Sequence, residues 1–130
     1  MSPATELIVC TTCRPVGADR SSRAAGQALL DAVLHAAQGL AAQAGGGRVA
    51  VRGVACLSAC SRACTVALQA AGKASYLFGE LPPDAETAAL VLACAQLHAI
   101  STDGQLGRAA RPERLRNGIL ARLPALARPD

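Results

Sequence analysis

Apolar and polar positions along this chain follow two different periods. Leu7, Ile8, Val9 and Cys10 form a short β-branched apolar run that predicts a buried strand. Residues 11–20 contain Pro15 and Gly17 and predict a loop, with Ser21 or Ser22 available to cap a helix after it. Leu30, Val33, Leu34, Ala37 and Ala41 then recur at helical spacing, so one apolar stripe faces a core, and Gly45, Gly46 and Gly47 stop the helix. From Arg48 to Ala55 the pattern alternates, with Val49 and Val51 out of phase with Arg48 and Arg52, and predicts a second strand. Thr65 to Leu68 predicts a third, Ala71-Gly72-Lys73 a hairpin turn, and Ala74 to Phe78 a fourth. Pro82 and Pro83 end that strand. Asp84 is placed to cap the next helix, Glu86 sits in its first turn, and Ala88, Val91, Leu92 and Ala95 form its buried stripe.

A helix between the first two strands makes them parallel, and the closing hairpin adds an antiparallel edge. The expected fold class is α/β, with a central mixed sheet of about four strands, two main helices and a C-terminal helical tail. Residues 1–103 would form the domain. Residues 104–130, with Leu115, Ile119, Leu120 and Leu123 at helical spacing, would form a tail or short helix packed on it.

Composition narrows the chemistry. The 130 residues are 52% hydrophobic, enough for one core without crosslinks. Aromatics are 2%, Tyr76 and Phe78 alone, which argues against base stacking as an activity. Thirteen Lys and Arg against nine Asp and Glu leave +4, a diffuse excess without a dense basic block or a nucleic-acid reader motif. It suits a solvated surface or a docking face for an acidic redox partner. Neither nucleic acid nor membrane is expected as a partner; a redox partner protein is the expected one, on the reading of the thiols given below. Met1–Glu6 lacks a basic region followed by a long apolar stretch, and no apolar run reaches membrane-spanning length. The expected compartment is the cytoplasm, where thiols stay reduced.

Five of the six cysteines lie in two clusters, Cys10 with Cys13, and Cys56 with Cys60 and Cys64. Each follows a predicted strand of a parallel pair, so the strand ends bring both loops to one rim of the sheet. Such loops can supply the four sulfurs of a zinc or iron–sulfur centre. Ser58, Ala59, Ser61 and Ala63 let the backbone approach closely, and Arg14 and Arg62 adjoin the sulfurs. A metal set of Cys10, Cys13, Cys56 and Cys60 is expected, with Cys64 as an alternate or fifth thiol. Cys94, in the last helix, reads as a small core hydrophobe. His35 and His98 read as surface or boundary residues. The glycines at 45–47 lack a following Gly-Lys-Ser/Thr and do not form a phosphate loop.

The order of elements is thioredoxin-like, and the segments that carry the thiols add a resemblance. Residues 56–81, CLSACSRACTVALQAAGKASYLFGEL, resemble the second half of the thioredoxin-like 2Fe-2S ferredoxins, and IVCTTCRPVG at 8–17 resembles their first strand and protruding loop. The chain is also similar to a small bacterial family of unknown function described as predicted metal-binding proteins and linked with cobalamin-biosynthesis genes. The resemblance covers most of residues 6–100 and extends to RPERL at 111–115. It implies a thioredoxin-like fold, a 2Fe-2S cluster, one-electron transfer, a link to cobalamin or metal metabolism, and a fold that allows homodimers. Cys10, Cys56 and Cys60 match ferredoxin ligands. Near the fourth ligand position this chain has Ser21 and Ser22, and Cys13 is the substitute. Three alternatives stay open: a 4Fe-4S cluster on Cys13, Cys56, Cys60 and Cys64, a zinc site with four cysteine ligands, and a thiol–disulfide oxidoreductase using Cys10 and Cys13. No acid–base pocket is evident, and catalysis by this chain alone is not expected.

Overall fold

The computed structural model describes residues 5–19, 21, 23–41 and 48–126, apart from the side chains of residues 40, 41 and 60. Strand β1 (Thr5–Cys10) is followed by helix α1 (Ala25–Ala41) and strand β2 (Val49–Val54). A single 3-10 turn at Cys60–Arg62 leads into β3 (Val66–Gln69) and β4 (Ser75–Phe78). Helix α2 (Ala85–Ile100), a second 3-10 turn at Arg108–Ala110, helix α3 (Glu113–Asn117) and strand β5 (Ile119–Leu123) complete the described order.

The five strands form one mixed sheet in the order β2-β1-β3-β4-β5. β1 and β2 are parallel, with Thr5 opposite Val49 and Cys10 opposite Val54, while every other pairing is antiparallel. Both α1 and α2 pack on β1 and β2 and on each other, so they share one face of the sheet. The side-chain alternation of β1 sends Leu7 and Val9 into that layer. There they meet Leu29 and Val33 of α1, Val66 and Leu68 of β3, Phe78 of β4, and Val91 and Leu92 of α2. Asp84 caps α2 as its sequence context predicts, accepting the Thr87 N–H at 2.8 Å. The β3–β4 turn falls at Ala70–Lys73, with Gly72 at φ +74°. None of the described helices is long and apolar enough to cross a membrane.

Three differences from the sequence expectations have physical causes. The sheet has five strands rather than about four, because residues 119–123 form an edge strand on β4 instead of a continuing helix. Gly118 ends α3, and its carbonyl accepts the Gly79 N–H at 2.7 Å, which starts the new pairing. Arg114 anchors this C-terminal segment to the start of α2, donating to Thr87 Oγ1 at 2.6 Å and pairing with Asp84 and Glu86. Helix α1 begins at Ala25, later than a cap at Ser21 requires. Ser21 donates its N–H and hydroxyl to Asp19 instead. Ser22 and the Gly45–Gly47 stop lie outside the described residues.

His98, expected at the surface or boundary, is fully buried. Its two ring nitrogens lie 2.7 Å from Thr5 Oγ1 and 2.7 Å from the Ala74 carbonyl oxygen, so both polar atoms are satisfied. Lys73 closes the same corner, donating from Nζ to the His98 and Ala99 carbonyls at the end of α2, where a cation is favoured. His35 is exposed on α1.

Candidate metal centre

Cys10 ends β1, and the loop after it is stitched to the end of β2. Thr11 donates its N–H (2.8 Å) and its hydroxyl (3.1 Å) to the Val54 carbonyl, and the Thr12 hydroxyl donates to Ala55. Cys10 in turn donates its N–H to the Thr65 carbonyl at 3.2 Å. Three stretches of chain, 10–13, 54–58 and 64–65, are thereby held at one rim of the sheet, as the parallel β1–β2 pairing requires.

Within this rim the thiols have different surroundings. Cys10, Cys13 and Cys64 are 1%, 2% and 0% exposed. Burial pushes the Cys10 thiol up. Hydrogen bonding with the Cys13 thiol, the Thr12 and Leu57 backbone and the Thr12 side chain outweighs it, so its pKa lies below the usual thiol value. Burial pushes Cys13 up to about 11, helped by its hydrogen bond to Cys10, while the Thr65 hydroxyl at 3.3 Å opposes the shift. Cys64 rises to about 11 through burial first, then through the nearby charge of Cys13 and Cys10. The N-terminal pair and the last cysteine of the mid-chain trio therefore share one electrostatic environment.

Cys56 is exposed, and its sulfur accepts the Ser58 N–H at 3.1 Å. Ser58 sits at φ +58°, a left-handed conformation uncommon outside glycine. The result is a backbone turn that directs the Ser58 N–H at the Cys56 sulfur. Cys60 opens the following 3-10 turn, but its sulfur lies outside the described set. Cys94 is apart from this group. It is fully buried in α2, and burial pushes it up to about 11 against the opposing charge of Arg111. Among the described residues no three His, Cys, Asp or Glu side chains stand at mutual metal-binding distances.

Several residues of this rim carry no recognisable sequence signal. Gly26, in the first turn of α1, lies so close to the thiol loop that a Cβ there would stand 2.0 Å from the Cys10 carbonyl oxygen. Its own N–H donates to the Cys13 carbonyl at 2.9 Å. Thr65 and Thr12 contact sulfur directly, yet hydroxyl residues beside cysteines are too common to mark a site; Ser58, whose backbone is expected to approach the sulfurs, donates its N–H to Cys56. Arg14 and Arg62, expected to offset charge at the sulfurs, both have acidic neighbours: Arg62 pairs with Glu80 at 3.0 Å, and Arg14 lies beside Asp19. A shallow cavity of about 460 Å³ opens next to the rim, lined by Thr12, Arg14, Pro15, Val16, Gly17, Ala18 and Ser61.

The donor set is chemically uniform: thiols, backed by backbone amides and hydroxyls, with no carboxylate or imidazole among the described contacts to sulfur. That softness fits iron–sulfur clusters, zinc or other thiophilic metals. No curated protein and no solved structure matches this chain. A protein family of unknown function does match, over residues 7–125, nearly the whole chain, in agreement with the expected similarity to a family of unknown function. The chain belongs to that family, DUF1636.

Proposed function

We propose that the protein is a small ferredoxin-like electron carrier whose two thiol loops hold an iron–sulfur cluster, read as 2Fe-2S. Cys10, Cys13, Cys56 and Cys60 would hold it, with Cys64 the buried fifth thiol beneath. One observation carries this reading: the fold buries Cys10, Cys13 and Cys64 together at one rim of the sheet, and on the adjoining loop the Ser58 amide donates to the Cys56 sulfur. Amides directed at ligand sulfur stabilise its negative charge and tune the potential of a bound cluster. Such a group supplies one electron at a time when bound. The chain's own residues hold the sulfurs, exclude water through the burial of Cys10 and Cys13, and fix the loop through Thr11 and Thr12. Service in the cytoplasm, expected from the sequence, and a link to cobalamin or metal metabolism, implied by the family resemblance, belong to this proposal.

The contact between Cys10 and Cys13 supports a second reading, a redox-active dithiol. Burial opposes it, since thiol–disulfide exchange needs an attacking sulfur that a substrate disulfide can reach, and Cys10 is 1% exposed. A zinc site uses the same donors.

The test is an absorption spectrum with iron, sulfide and zinc assays on protein purified without oxygen. Visible bands bleached by dithionite, with iron and sulfide in equal amounts, support the cluster. Stoichiometric zinc in a colourless protein refutes it. A metal-free protein with a reversible Cys10–Cys13 disulfide refutes it in favour of the dithiol.

A further inference from the structure

The chain's positive charge is not evenly spread. Residues 105–122 carry five arginines and one acidic residue, Glu113. Elsewhere several exposed arginines are neutralised: Arg23 by Asp31, Arg52 by Glu6 and Arg62 by Glu80. Within the segment, Arg114 is taken up by Asp84 and Glu86 at the start of α2. Arg108, Arg116 and Arg122 have no carboxylate at ion-pairing distance among the described residues, and Glu113 makes no ion pair with them.

Two of these arginines, Arg116 and Arg122, are held in place by side-chain hydrogen bonds. Arg122 donates from Nη1 to Gln105 Oε1 at 3.0 Å, and Arg116 donates from Nε to the Arg111 carbonyl at 2.8 Å. The Arg111 N–H donates to the Arg108 carbonyl at 3.3 Å, so Arg108, Arg111 and Arg116 are linked along one strip. Behind it Arg111 is 7% exposed. Its Nη1 donates to the Leu115 carbonyl at 3.1 Å, and its Nε has no hydrogen-bond partner among the described residues. A buried guanidinium without a counter-charge costs free energy, and a carboxylate brought alongside would offset that cost. One end of this segment, at Gly118, reaches the thiol rim, while Arg122, opposite Tyr76, lies farther along β4. Gly118, at the end of α3, bonds to Gly79, and the next residue, Glu80, donates its N–H to the Arg62 carbonyl, two residues beyond Cys60.

We infer that this strip of Arg108, Arg116 and Arg122, backed by Arg111, is the docking surface for the acidic face of a protein redox partner. The choice of a redox partner rests on the electron-carrier reading; the charge argument does not. Fixed, unneutralised charges at one edge steer an oppositely charged partner and set its orientation. Tyr76 and Phe78, the chain's only aromatics, are both buried, which disfavours single-stranded nucleic acid as the occupant.

The experiment titrates the full, isotope-labelled chain with flavodoxin, an acidic one-electron protein, and with poly-L-glutamate, following amide resonances. Shifts concentrated in residues 105–122 are expected. Arg108→Glu and Arg122→Glu are each expected to weaken flavodoxin binding about tenfold at low ionic strength. Arg23→Glu, which makes the same change in net charge elsewhere, should leave it within about twofold. Shifts absent from the strip with both probes, or equal weakening by Arg23→Glu, overturn the proposal. So does binding of DNA oligonucleotides, but not flavodoxin, through the same arginines. Iron and sulfide assays on the same sample separate the two readings. A colourless protein that still binds flavodoxin through the strip sinks the carrier and keeps the surface; a cluster-bearing protein that fails to bind there does the reverse.

Discussion

Replacing Gly26 with Ala adds one methyl group at the tightest backbone approach in the candidate site. That carbon would stand 2.0 Å from the Cys10 carbonyl oxygen and 3.1 Å from the Cys13 nitrogen. Neither neighbour is a side chain that can swing away, so α1 or the thiol loop must move. Overpacking of this kind costs about 1–3 kcal/mol. Movement also weakens the Gly26 N–H bond to Cys13, which contributes about 1 kcal/mol. Ala is the better helix former, but by no more than about 1 kcal/mol, and by less in a first turn. The expected net loss is about 1–3 kcal/mol, a large part of the ~5–15 kcal/mol that holds a typical domain together. Gly39 provides the internal control. It lies in the same helix with open space around it, so Gly39→Ala should be neutral or stabilising by up to about 1 kcal/mol. Urea unfolding of both variants measures the difference, and metal content after anaerobic purification reads the loop. If Gly26→Ala matches the native protein in both stability and metal content, the close packing of α1 on the thiol loop is not what positions the sulfurs.

Other consequences can be checked as directly. On the proposed reading, Cys10→Ser should abolish bound metal, whereas Cys94→Ala should leave metal content unchanged and cost about 1 kcal/mol for the cavity; metal analysis of both separates the site from the core thiol. His98 is held below its ordinary pKa of 6.5 by burial, with the Ala74 carbonyl opposing and Lys73 reinforcing the shift. As pH falls below that value the unfolded chain gains a proton that the folded chain refuses, so stability should drop. Urea midpoints from about pH 8 to about pH 5 should show this decline, and His98→Gln should flatten it; an unchanged slope refutes the assignment. Asp84→Ala should lower the melting temperature at neutral pH through loss of the cap on α2. Hydrogen bonds from Thr87 hold the Asp84 carboxyl below 3.8, so the native cap is fully present above that value and weakens as acid protonates it. Thermal melts of Asp84→Ala and the native protein should therefore converge as pH falls through that range, and a constant gap refutes the cap's dependence on charge.

Much of the fold is legible because its elements carry their own periodicity. β1 through β4 and the two long helices each place apolar residues at spacings that only one element type satisfies over that length. Segment 115–123 is ambiguous: Leu115, Ile119, Leu120 and Leu123 fit a helix, and only the vacant edge of β4 and the stop at Gly118 turn residues 119–123 into a strand. His98 defeats a local reading for a related reason. Its burial depends on a hydroxyl at Thr5 and a carbonyl at Ala74, far away in the chain, which satisfy both ring nitrogens.

For the candidate site, local sequence determined which residues carry thiols and that the loops bearing them follow neighbouring strands. Spacing could not say which sulfurs turn inward. Cys56 and Cys64, eight residues apart on one loop, end exposed and fully buried respectively. The left-handed turn at Ser58, the close approach of Gly26 and the hydroxyls of Thr12 and Thr65 decide the environment of each sulfur. The Gly26 and Thr65 contacts join segments distant in the chain. Periodicity reports how one segment meets a layer, whereas the charge and hydration of a buried sulfur depend on every segment that the fold packs around it.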